Sequence, residues 1–192
     1  MHLIFASSIV PCGEPKNDFD IVNRAIVEAM QRAGTRVTFI GFKWSGTELE
    51  YPENTVCLGD IDPAVINESV FQKAKWLATA VKDRLTYASV KLRAMSDTDL
   101  EQALAAIEEA DGVLLTGAAL AGAYEETLSA KPYIYFAHNL EHSSSPVRSN
   151  ETRGAFEKIT DRREAKQVEK LERRLVAGAR FTITLADEDR AV

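Results

Sequence analysis

Apolar residues along this chain gather in short runs, separated by stretches with helical spacing. His2 to Ser8 is an apolar run of a length that suits a buried strand. Pro11-Cys12-Gly13-Glu14-Pro15-Lys16 follows and suits neither helix nor strand. From a cap at Asn17 or Asp18, the residues Ile21, Val22, Ala25, Ile26, Ala29, Met30 and Ala33 recur at helical spacing, and Gly34 ends the run. Arg36 to Gly41 predicts a second strand and Asn54 to Gly59 a shorter third one.

Asp62-Pro63 opens the next helical region, with proline suited to a first helical position. Val70, Ala74, Leu77, Val81, Leu85, Ala88 and Leu92 then share one face, which predicts a single long helix. Ser96-Asp97-Thr98-Asp99 resembles a capping box with Asp in place of Glu, and Leu100, Ala103, Leu104 and Ile107 predict another amphipathic helix behind it. Val113 to Thr116 reads as strand four, Gly117 to Ser129 as loop and helix, and Tyr133 to Ala137 as strand five. His138 to Asn150 reads as a loop. A charged helix follows from Glu151 to Ala177, bent at Gly154, and Phe181 to Leu185 forms strand six.

Strands alternating with helices imply βαβ units and a parallel sheet covered on both faces. Right-handed crossovers through six strands favour a Rossmann-like, doubly wound α/β fold with strand order 3-2-1-4-5-6. Ligands in such sheets sit at the carboxyl ends of the strands, at the switch point. The loops there hold Gly13, Gly117 and His138.

Composition narrows the class. The chain has 192 residues, 45% of them hydrophobic, with a formal charge of −6. These values fit one globular domain with a real core and argue against disorder. Two cysteines, Cys12 and Cys57, rule out a disulfide scaffold and suit a reducing, cytoplasmic compartment. Cys12 reads as an exposed loop thiol and Cys57 as core. No apolar run is long enough to span a bilayer. The negative charge argues against a nucleic-acid partner.

The candidate chemistry is sparse. The first loop has one glycine and matches neither a dinucleotide fingerprint nor a P-loop. His138-Asn139-Leu140-Glu141-His142 is the densest polar group beside a predicted strand end. An imidazole and a carboxylate there could orient a sugar hydroxyl or handle a proton. A metal would need a third ligand that the sequence does not offer.

The region around the long amphipathic helix is basic. Between residues 73 and 93 lie six basic side chains and one acidic, Asp83. Two uses of its apolar stripe stand. It packs on the sheet, the commoner use of such a helix, or it lies at an anionic bilayer with Lys75, Lys82, Arg84 and Lys91 reaching outward.

Tyr133-Ile134-Tyr135-Phe136-Ala137-His138-Asn139-Leu140-Glu141 resembles the strand-five signature of bacterial glycosyltransferases of family 4, an apolar strand ending in His-Asn-x-Glu. The stretch from Glu169 to Arg190 is similar to that family's passage of a helical Glu, small residues, an apolar strand and Ser-x-x-Asp, with Ala186 in place of the Ser. The first loop has Cys12-Gly13 where many relatives carry Gly-Gly. The likeness covers the whole chain at fold level but only these two stretches at motif level. It implies the acceptor-side, N-terminal half of a GT-B enzyme, with residues 1–192 as one Rossmann-like domain and the donor-binding domain outside this chain. The implied reaction is retaining transfer of a hexosyl group from a nucleotide-sugar to a glycan or lipid-linked acceptor, with no cofactor or obligatory metal. Polysaccharide or cell-envelope synthesis is that family's usual setting. By this resemblance His138 is catalytic, and Gly13, Gly117, Asn139 and Glu141 bind substrate. A GT-B nucleotide-sugar epimerase half and a stand-alone Rossmann-like binding module are the alternatives.

Overall fold

The computed structural model describes residues 1–15, 17–61, 69–97, 101–137 and 155–184. Among these residues six strands form one sheet. They are β1 (His2–Ile9), β2 (Arg36–Trp44), β3 (Thr55–Ile61), β4 (Gly112–Thr116), β5 (Tyr133–Ala137) and β6 (Phe181–Thr184). All neighbours are parallel, in the order β3-β2-β1-β4-β5-β6. The doubly wound architecture expected from the alternation of patterns is therefore the one observed.

Buried-strand residues alternate between two cores, as the pleat requires. Phe5, Phe39, Leu114 and Phe136 face helix α1 (Asp18–Arg32), which contributes Val27. Ile4, Ala6, Ile40, Phe42, Leu115 and Tyr135 face the other side. That side is covered by α3 (Tyr87–Met95), α4 (Glu101–Glu108), α5 (Ala118–Ala123) and the last helix, α7 (Ala155–Gly178), through Leu92, Ile107, Leu120, Leu171 and Leu175. A short helix α6 (Glu125–Leu128) joins α5 to β5.

Two helices depart from the expected pattern. The long amphipathic helix is two helices, α2 (Val70–Asp83) and α3. Arg84 takes a left-handed conformation that closes α2, and the Thr86 hydroxyl accepts from the Ser89 N–H to open α3. Nor does the expected apolar stripe of α2 face the core. Trp76 and Ala80 are buried, whereas Ala74 and Val81 are exposed. Trp76 and Ala80 pack on Val90 of α3, in a small cluster separate from both sheet cores. Helix α1 is also rotated. It buries Asp20, Asn23 and Val27, and leaves Ile21 56% exposed.

The α7 helix ties this side together. Arg163 Nη2 donates to the carbonyls of Ala80 and Leu85, where α2 ends. Its neighbour Glu164 accepts from the Tyr87 N–H at 2.6 Å, where α3 begins. Both orphaned helix ends thus find partners on a third helix.

Candidate functional site

The doubly wound order places the switch point between β1 and β4, so the carboxyl edge of these strands is the region to read. The loop after β1 is pinned to the loop after β2. Gly13 N–H donates to Glu48 O at 3.2 Å, and Glu50 N–H donates to Pro11 O at 3.1 Å. Arg24 of α1 closes this arrangement by donating to Gly13 O at 2.6 Å and pairing with the Glu50 carboxylate. Gly13 is solvent-exposed, but its backbone polar groups are thus already engaged. Cys12 is not the exposed thiol expected from its loop position. It is 3% exposed, and its sulfur accepts from the Trp44 N–H at 3.4 Å.

Gly117 follows β4 at the same edge, with φ of 78°. That left-handed backbone favours glycine. Its N–H donates to Phe136 O at 3.2 Å, and a Cβ added there would lie 3.4 Å from the Phe19 ring. Strand β5 ends beside it at Ala137, and the sequence continues with His138. His138, Asn139 and Glu141 lie outside the described residues.

The start of α1 supplies the electrostatics of this edge. Asn17 caps the helix by accepting from the Asp20 N–H at 2.9 Å. The first turn is acidic, with Asp18 and Asp20. Acidic side chains suit a helix N-terminus energetically, and here they make it a poor seat for phosphate. Asp20 is 8% exposed and accepts from Trp44 Nε1 at 3.4 Å. One turn on, buried Asn23 donates to the buried Ser7 hydroxyl at 2.9 Å. Thr116, also buried, donates to Ala6 O at 3.3 Å. Ser7, Asp20, Asn23 and Thr116 therefore form a polar layer under the switch point. The signal for it lay in the sequence. Asp20, Asn23 and Val27 share helical spacing, so two polar residues occupy core-facing positions of an amphipathic helix.

No family model, no curated protein and no solved structure matches this chain. Among the described residues, no group of three or more His, Cys, Asp or Glu side chains could hold a metal ion. No described helix is long and apolar enough to cross a membrane.

The other sequence candidates lie away from this edge. Lys75 and Lys82 are exposed on α2 and Arg84 is exposed at its end. Lys91 on α3 is half-buried, its ammonium 5.8 Å from the Trp76 ring centroid, where it stabilises the α2–α3 contact. A groove of about 910 Å³ opens between the ends of α2 and α3 on one side and α5 and α6 on the other, lined in part by Arg93, Tyr124 and Glu126. Its Gly122 and Ala123 wall belongs to α5, the helix that begins directly after Gly117.

Proposed function

We propose that this chain is the acceptor-side domain of a two-domain, retaining glycosyltransferase of the GT-B type. In this reading it binds the hydroxyl-rich acceptor, and a second domain binds the nucleotide-sugar donor. The observation that carries the reading is the chemistry of the carboxyl edge. Asp18, Asp20 and a filled N-cap stand where nucleotide-binding sheets present glycines and open amides. The exposed Asp18 carboxylate would accept hydrogen bonds from sugar hydroxyls, and both carboxylates repel phosphate. His138, next in sequence after β5, would handle the proton or stabilise charge at the donor sugar. Asn139 and Glu141 would contact acceptor hydroxyls. The exposed Phe181 and Ile183 of edge strand β6, at 70% and 44%, lend support, because they offer an apolar surface for a further domain to cover.

Two titrations of the chain test this. Calorimetry with UDP- and GDP-sugars is expected to show no micromolar binding. Proton–nitrogen NMR with neutral oligosaccharides at millimolar concentration is expected to shift the amides of Gly13, Asp18 and Gly117. Micromolar nucleotide-sugar binding would overturn the two-domain reading in favour of a stand-alone binding module. Absence of any oligosaccharide-induced shift would remove the acceptor role.

A further inference from the structure

Helix α2 packs through one side only. Trp76 and Ala80 are buried, and Leu77, Gln72 and Thr79 flank them half-buried. At 3.6 residues per turn, the opposite third of the helix carries Val81, Ala74, Ala78, Phe71, Lys82 and Lys75. All six are exposed, Phe71 at 80% and Val81 at 55%. No acidic residue falls on this arc. The stretch from Lys73 to Arg93 carries six basic residues and one acidic, inside a chain of formal charge −6. An outward face that combines a large exposed aromatic side chain, small apolar residues and lysines is not a solvated surface in the ordinary sense. Nor is it the sheet-packing stripe that the apolar periodicity suggested, because α2 packs on α3 and not on the sheet.

We propose that this face of α2 docks the protein on an anionic lipid bilayer. Phe71 and Val81 enter the headgroup–acyl boundary, with Ala74 and Ala78 allowing the helix to lie flat. Lys75 and Lys82 extend their chains to lipid phosphates at the same depth. Charge selects this occupant. The chain as a whole is repelled by an anionic surface, so binding requires a local basic face, and α2 is where basic and exposed apolar side chains coincide. Lys91 takes no part, since it packs over Trp76. This docking stands independently of the sugar-transfer reading, and its test uses no sugar.

The experiment is co-sedimentation of the chain with vesicles of phosphatidylcholine alone, or of phosphatidylcholine mixed with phosphatidylglycerol, across a salt series. Binding to the mixed vesicles only, weakening with salt, is expected. Lys75→Glu with Lys82→Glu should lower the partition at least ~10-fold, because each basic group near such a surface contributes appreciably and the reversal adds repulsion. Phe71→Ala should weaken binding several-fold at every salt concentration. All three side chains are exposed, so circular dichroism of the variants should match the parent. No sedimentation at low salt, equal binding to both vesicle types, or unchanged binding of the charge-reversed variant would each overturn the proposal. Light scattering that shows a dimer lost on Phe71→Ala, without vesicle binding, would instead give the face to a second copy.

Discussion

Gly41→Ala is expected to unfold the domain. Gly41 lies in β2 opposite Ser7 of β1, next to the point where the ladder between these strands shifts register. A Cβ at this position would fall on the Ser7 carbonyl oxygen and lie 3.1 Å from Val10 Cγ1. The first contact is with backbone in the middle of the sheet, so no rotamer change relieves it. The β1–β2 pair would have to part, and both strands are inner strands of the sheet. Such a disruption belongs with the exceptional substitutions that cost about 5 kcal/mol or more, comparable to a whole domain's stability of about 5–15 kcal/mol. Loss of the cooperative denaturant transition in circular dichroism is the expected readout. A variant with the parent's midpoint would show that the two strands do not approach as closely as described.

Glu164→Ala is expected to destabilise by about 2–4 kcal/mol at neutral pH, since it strips an acceptor from the start of α3 and removes the carboxylate paired with the half-buried Arg163. Arg163 Nη1 and Glu164 Oε2 stand 3.7 Å apart as an ion pair. Burial pushes the Glu164 carboxyl above its ordinary value of 4.5, against the opposing pull of the Tyr87 amide and Arg163. The folded state therefore holds this proton more tightly than the unfolded chain. Stability from this group falls as pH rises through the folded pKa, and it is recovered as pH falls toward 4.5. Glu164→Gln keeps the carbonyl acceptor and removes the titration. The stability difference between parent and Glu164→Gln should thus shift in the parent's favour on acidification from neutrality toward pH 4.5. Urea midpoints across that range measure it. A difference that does not vary with pH would mean that the carboxyl is not shifted.

The sheet was legible because its inner strands are largely buried on both faces and so read as nearly continuous apolar runs. Strand five was expected at Tyr133 to Ala137 and is found there. Turn chemistry then fixed the alternation, and handedness fixed the order. The break between α2 and α3 was hidden because no Gly or Pro marks it and the apolar spacing from Leu77 through Leu85 to Leu92 runs across it. What ends α2 is Arg84 in a left-handed conformation with a Thr86 cap behind it, and both are weak signals in isolation. Periodicity also misjudged which side of α2 is covered, because Trp76 outweighs the small residues of the expected stripe. Its large ring fixes the buried face, and Ala74 and Val81 turn outward as a result. At the switch point, the turn glycines drew notice before the polar layer did. Ser7, Asp20, Asn23 and Thr116 belong to three different elements, and only the folded sheet brings them together.

The placement of β1 has a consequence during synthesis. Among the six strands of the sheet, the earliest in chain order is a central one. Its residues Leu3 to Ser7 pair on one side with β2 and on the other with Gly112 to Thr116. The interval between completing Trp44 and completing Thr116 is on the order of ten seconds at ordinary translation rates. For that time one edge of a largely apolar strand has no neighbour while the nascent chain lengthens. That edge is open to mispairing until β4 is made, so the sheet closes around β1 only once the chain has passed Thr116.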